Sequence, residues 1–126
     1  MSRKAREVVV VEKRGMLMNF DNILKSILRK LQNEDANNIR FVGYKKCYVK
    51  SLKDNMVKES SPVFSTKEEY QNFLKDLFHD YPLDKEHPIV KRHVNFNGYC
   101  FICTGIASLL TDSNEDLLYI RLIPVR

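Results

Sequence analysis

Two cysteines three residues apart, in Cys100-Phe101-Ile102-Cys103, spell C-x-x-C, a spacing that serves a redox pair or half of a zinc site. A redox pair needs its first sulfur at a helix N-terminus, where the positive end stabilises a thiolate, and the residues around Cys100 alternate like a strand instead. Side chains three apart in a strand point to opposite faces, so the two sulfurs are expected to diverge. Cys47, His79, His87 and His93 are the remaining ligands of zinc type, and none shows paired spacing. The cysteines read as small buried apolar residues, and no metal site is expected.

Asp80 with Asp84, and Glu115 with Asp116, have the spacing of an acid/base pair. Neither pair has neighbours that would build an apolar pocket and raise one pKa, so both read as solvated loop carboxylates. No serine sits in a nucleophile elbow, and neither G-x-x-x-x-G-K-[ST] nor G-x-G-x-x-G occurs to cradle a phosphate. No catalytic residue is assigned. By itself the chain is expected to be no enzyme and to hold no cofactor.

The segment Arg40-Phe41-Val42-Gly43-Tyr44-Lys45-Lys46-Cys47-Tyr48-Val49-Lys50 interleaves cations with aromatic rings. Lys45, Lys46 and Lys50, with Lys53 and Lys58 further on, would meet phosphates while Tyr44 or Tyr48 stacks on a base. In the competing reading the rings face the core and the lysines coat an edge strand against unwanted pairing. A free-standing basic nucleic-acid-binding module using the surface from Arg40 to Lys58 is thus one functional alternative, without an RRM, OB or helix-turn-helix signature beside it.

The elements that must position these residues follow from hydrophobic period. Phe20, Ile23, Leu24, Ile27, Leu28 and Leu31 fall at steps of three and four and predict a helix over residues 20–33, with Asn19 as N-cap and Asp21 at the positive end. After the polar segment 33–38, residues 39–42 and 47–49 predict a hairpin around the 43–46 turn, and residues 52–61 a surface loop with a short strand at Met56-Val57. A second helix opens at Ser65 or Thr66, because Ser65 with Glu68 and Thr66 with Glu69 both fit a capping box. Tyr70, Phe73, Leu74, Leu77 and Phe78 form its apolar face, and Pro82 stops it. The period then becomes two: strands over 89–96 and 99–106 flank Asn97-Gly98, a type I′ hairpin signal, and a third runs over 117–123. The expected fold class is α+β, two amphipathic helices packed on an antiparallel sheet.

Composition bounds the rest. The chain has 126 residues, 44% hydrophobic and 29% charged, with four Gly and four Pro, which excludes collagen-like and low-complexity chains. Residues 1–18 read as an N-terminal extension with a strand at Val8-Val9-Val10-Val11, ended by Gly15, and residues 19–126 as a single domain. No window reaches the roughly 18 consecutive apolar residues of a membrane span, and no apolar signal core follows the basic start. An odd number of cysteines, three, fits a reducing compartment. The expected location is cytoplasmic, free or peripheral at the inner membrane face. Net charge is +5, and the surplus lies early: residues 1–63 hold 14 basic and 7 acidic side chains, residues 64–126 hold 7 and 9. Such a half would steer an acidic protein, a lipid surface or nucleic acid.

Several strings taken in order resemble the N-terminal domain of the type II/type IV secretion ATPases, in the branch of conjugation and Flp-pilus assembly motors. They are Val63-Phe64-Ser65-Thr66-Lys67-Glu68-Glu69 entering a helix, His87-Pro88-Ile89-Val90-Lys91-Arg92-His93-Val94, Asn97-Gly98 and Leu118-Tyr119-Ile120-Arg121, together with Ile39-Arg40-Phe41-Val42 and its hairpin. The resemblance covers about residues 36–124. It implies a non-catalytic assembly and regulatory domain that packs on the RecA-like motor domain of the same parent chain, within a homo-oligomeric ring, closing over ATP and Mg held by the motor. Arg121 matches the family's closing arginine, and Arg92 lies in a strand that often carries a basic residue there. Either is expected near nucleotide or at an interface, because a guanidinium fork meets phosphate or carboxylate bidentately. Tyr99-Cys100-Phe101 stand where the family has an arginine after the turn glycine. The motor domain is expected to follow in a longer parent protein.

Overall fold

A computed structural model describes residues 18–79, 83–111 and 114–125; the strand expected at 8–11, the Gly15 break, Asp80 and the Pro82 stop lie outside them. The first helix, α1, spans Met18–Asn33. Every apolar residue picked out by its three-and-four spacing, from Phe20 to Leu31, is buried. Because the helix starts before Phe20, Asn19 belongs to its first turn and is not the N-cap. Asp21 and Lys30 still complement the two dipole ends. At the far end Asp35 takes φ +54°, and Glu34 N–H donates to Lys30 O at 3.0 Å. The expected polar loop is therefore cut short.

Among the described residues six strands follow: β1 (Ala36–Val42), β2 (Lys46–Ser51), β3 (Val57–Ser60), β4 (Ile89–Phe96), β5 (Tyr99–Ile106) and β6 (Leu117–Pro124). They form one sheet in the order β3-β2-β1-β6-β5-β4, with every neighbouring pair antiparallel. Two three-stranded meanders are thus joined edge to edge by the β1–β6 pairing, Ile39 opposite Ile120 and Phe41 opposite Leu118. This is an α+β arrangement. Two expectations are corrected. Asn37 and Asn38 lie in β1, where the register shifts between Ala36 and Asn38, and the short strand expected at Met56-Val57 instead runs from Val57 to Ser60, pairing with β2 as an edge strand. A strand of Val, Lys, Glu and Ser carries no alternation to announce it, and its charges are what an edge uses to discourage further pairing.

Between the meanders lies the second helix, α2 (Lys67–Leu77). Thr66 is its N-cap: its Oγ1 accepts from Glu69 N–H at 3.1 Å, while the Glu69 carboxylate accepts from Ser65 N–H at 2.7 Å. The reciprocal pair satisfies two otherwise orphaned donors. Tyr70, Phe73, Leu74 and Leu77 are buried, as is the C-cap residue Phe78. No helix among the described residues is long and apolar enough to cross a membrane.

Both helices share one core with one face of the sheet. Ile39, Phe41, Cys47, Val49, Phe101, Cys103, Leu118 and Ile120 are each 1% exposed or less and alternate with exposed or half-buried residues along their strands. Phe64, in the connection from β3 to α2, lies against Phe41 at 5.2 Å, Tyr70 at 5.1 Å and Phe73 at 5.5 Å between ring centroids. Phe73 stacks in turn on Phe20 of α1 at 5.0 Å. The Tyr70 hydroxyl donates to Asp116 O at 2.7 Å, tying α2 to the start of β6. Burial holds that phenol well above its usual pKa, with Asp116 and Glu115 adding to the effect.

Two glycines have identifiable reasons. Asn97 and Gly98 both have positive φ, +50° and +81°, as the two-residue turn between β4 and β5 requires. Gly105 is needed for space, since a Cβ there would stand 2.7 Å from Phe78 Cε2 and 2.9 Å from Leu83 Cδ1. Phe64→Ala is expected to lower unfolding free energy by about 3–5 kcal/mol. Gly105→Ala, which adds volume instead of removing it, is expected to cost about 1–3 kcal/mol. Urea denaturation followed by circular dichroism measures both as drops in midpoint.

Candidate functional site

Strand alternation sorts the expected site residues onto two faces. The face opposite the helices carries Lys46, Tyr48 and Lys50 from β2, Asn38 and Arg40 from β1, Tyr119 and Arg121 from β6, Thr104 and Ile102 from β5, and Lys91 and His93 from β4. Pairing lines them up in rows across the strands. One row runs Tyr48, Arg40, Tyr119, Thr104, Lys91, and the next runs Lys50, Asn38, Arg121, Ile102, His93. Lys50 and Arg121 thus flank Asn38, about 10 Å apart at two strand spacings of ~4.8 Å.

Arg40 is the centre of this face. Its guanidinium carbon lies 5.4 Å from the Tyr48 ring centroid and 5.7 Å from that of Tyr119, so the cation is held between two aromatic faces. Its Nε is buried without a hydrogen-bond acceptor. A cation over a ring gains about 0.5–1 kcal/mol at an exposed site, enough to fix a side chain that hydrogen bonds leave loose. Tyr119 remains 39% exposed, so one side of the stack is open to a ligand.

The other expected residues separate from this group. Lys45 and Tyr44 sit in the β1–β2 turn, where Lys45 Nζ lies 5.9 Å from the Tyr44 centroid and Tyr44 packs against the core. Of the two candidate stacking tyrosines, Tyr48 faces outward and Tyr44 inward. Arg92 lies on the helix-covered face of β4, opposite Cys103 and only 9% exposed, whereas Arg121 is exposed on the open face. The two arginines assigned similar roles from sequence are therefore on opposite sides of the sheet.

Cys103 is fully buried and Cys100 half-buried on the opposite face of β5, the divergence that their spacing predicts. Burial pushes the Cys103 thiol far above its usual pKa, an effect that nearby Arg92 opposes, and it raises Cys47 and Cys100 as well. Among the described residues no three His, Cys, Asp or Glu side chains converge as metal ligands. The loop carboxylates have structural work. Asp84 Oδ1 accepts from the N–H groups of Glu86 at 2.9 Å and His87 at 2.8 Å, and these bonds hold its carboxyl below the usual range. Asp116 Oδ1 accepts from Ser108 N–H at 2.7 Å.

One cluster has no counterpart in the sequence reading. Lys30 Nζ donates to Ser60 Oγ and Ser61 Oγ, both at 2.9 Å, and lies 4.0 Å from Glu34, which also accepts from the Ser60 hydroxyl. It clamps the last turn of α1 to the end of β3. Only the i,i+4 spacing of Lys30 and Glu34 is legible in the sequence, because Ser60 and Ser61 come from the end of β3 and the residue after it, beyond the Met56-Val57 strand that the sequence predicts.

Comparison with known proteins bears on the fold. No family model matches the sequence, and no curated protein matches it. Among solved structures, the VirB11 ATPase from the Brucella suis type IV secretion system, in complex with sulphate, superimposes with a TM-score of 0.64 at 6% sequence identity. The fold is secretion-ATPase-like. The match covers 85% of this chain but 31% of VirB11, so the chain spans under a third of that protein's length. At such identity the likeness concerns the path of the backbone and says nothing of site residues.

Thiol accessibility checks the assignment of faces. With excess iodoacetamide in native buffer, Cys100 is expected to be alkylated first, and Cys47 and Cys103 only after denaturant is added. Peptide mass spectrometry reads the order.

Proposed function

We infer that this chain is the non-catalytic N-terminal assembly and regulatory domain of a secretion or pilus-assembly ATPase. In this reading it packs on the RecA-like motor domain of its parent protein and on neighbours in a homo-oligomeric ring. The observation that carries the reading is the extent of the VirB11 match, 85% of this chain on a minor part of a secretion ATPase. The sequence adds support, since it holds no phosphate-binding loop and the order of its helix-opening, turn and Ile-Arg strings follows the family's. ATP and Mg are assigned to the motor domain, with this domain closing over them.

Arg121 is the residue assigned to that closure. It is exposed near the middle of the sheet, on a strand flanked by β1 and β5, so its fork stands on a rigid base from which to meet phosphate or an interface carboxylate. Arg92 is assigned to support, as a cation buried at the β4 edge beside Cys103. In this reading the protein works in the cytoplasm, free or peripheral at the inner membrane face.

Reading the gene beyond residue 126 is expected to show G-x-x-x-x-G-K-[ST] downstream. In the parent protein, Arg121→Ala is expected to cut ATP turnover about tenfold or more while leaving the circular dichroism spectrum unchanged. A reading frame without that motif, combined with no association in sedimentation between this chain and any separately encoded motor, sinks the reading.

A further inference from the structure

We propose that the open face of the sheet binds single-stranded nucleic acid, stacking bases on the Tyr48, Arg40 and Tyr119 row and holding phosphates with Lys50, Arg121 and Lys91. The proposal does not rest on the ATPase reading and is tested on the chain alone.

Charge is the first argument. The outward positions of the six strands carry five fixed cations, Arg40, Lys46, Lys50, Lys91 and Arg121, against the single carboxylate Glu59. No described helix covers this face, since both helices pack on the other. A flat face with five cations to one carboxylate, and with those cations in no ion pair among the described residues, fits a polyanion.

Geometry selects the kind of polyanion. Two tyrosines with a guanidinium between them make a continuous π and cation platform across β2, β1 and β6, with Tyr119 open to solvent. Such a platform gains by stacking unpaired bases, whatever their identity. Lys50 and Arg121 lie one row away, about 6.6 Å along the strands at ~3.3 Å per residue, beside the track that a backbone must follow when its bases lie on that row. A duplex hides its base faces, and a sheet about 24 Å wide, five spacings of ~4.8 Å, does not enter a major groove of ~12 Å. An acidic peptide would satisfy the cations but leave the aromatic row unused.

Fluorescence anisotropy of the full 126-residue chain with labelled 15-nucleotide oligo-dT and oligo-U tests the proposal, with a 15-base-pair duplex and a polyglutamate of equal charge as competitors. Binding of the single strands is expected to weaken steeply with salt, and both competitors to displace them poorly. Tyr119→Ser is expected to weaken binding about tenfold without changing the salt slope. Lys50→Glu with Lys91→Glu is expected to weaken it further and to flatten the slope by about 1 to 2. Lys25→Glu with Arg29→Glu, an equal charge change on the exposed side of α1, is expected to leave affinity within about twofold. Thermal melts confirm that each variant is folded. Absence of single-strand binding, equal competition by duplex or polyglutamate, no effect of Tyr119→Ser in a folded variant, or equal loss in the α1 variant each overturns the proposal.

Discussion

The ring of Phe64 holds the two layers together. It comes from neither helix nor strand but from the connection between β3 and α2, and it touches Phe41 in the sheet and Tyr70 and Phe73 in the helix. Through Phe73 the contact extends to Phe20, so one side chain links α1, α2 and β1. Aromatic pairs at these separations gain about 0.5–1.5 kcal/mol beyond the area they bury, and the cluster does so where the helices have few other ties to each other. Because all of it lies on one side, strand parity is fixed: a slip of one residue would carry Ile39, Phe41, Leu118 and Ile120 into water and Arg40 and Arg121 into the core.

That parity explains why the opposite face has the character it does. Outward positions in a one-sided sheet are free of packing constraints, yet here they carry an organised pattern rather than scattered polar residues. Arg40 is fixed by two tyrosines, Lys50 and Arg121 flank Asn38, and the half-buried Ile102 and Thr104 supply a flat floor beside them.

The parts of the fold that were legible in sequence are those that local chemistry determines. The burial stripe of α1, the Thr66–Glu69 cap, the stripe of α2 and the Asn97-Gly98 turn depend on residues within a few positions of one another. The hairpin between β1 and β2 was readable for the same reason. What stayed hidden is non-local. Only the start of strand β3 is legible, at Met56-Val57, and its extent is not, because it lies at an edge, buries almost nothing and lacks an apolar stripe. The meeting of Arg40 with Tyr119 depends on β6 returning beside β1, across almost 80 residues, and no pattern within either strand encodes that neighbour. The separation of Arg92 from Arg121 follows from parity alone, since Val90 and Val94 set the inward phase of β4 whereas Leu118, Ile120 and Leu122 set that of β6. Parity was readable strand by strand; which strands adjoin was not.

The strand order also has a consequence for biosynthesis. Each meander is stitched by short connections and can assemble early, but the seam between them is made by β6 alone, the last of this sheet's described strands in chain order. While a ribosome is still translating that strand, β1 presents a bare edge with Ile39 and Phe41 unsheltered on one side. The nascent polypeptide therefore remains open to misassociation until nearly the whole sheet has left the exit tunnel, and chaperone dependence should concentrate in that interval.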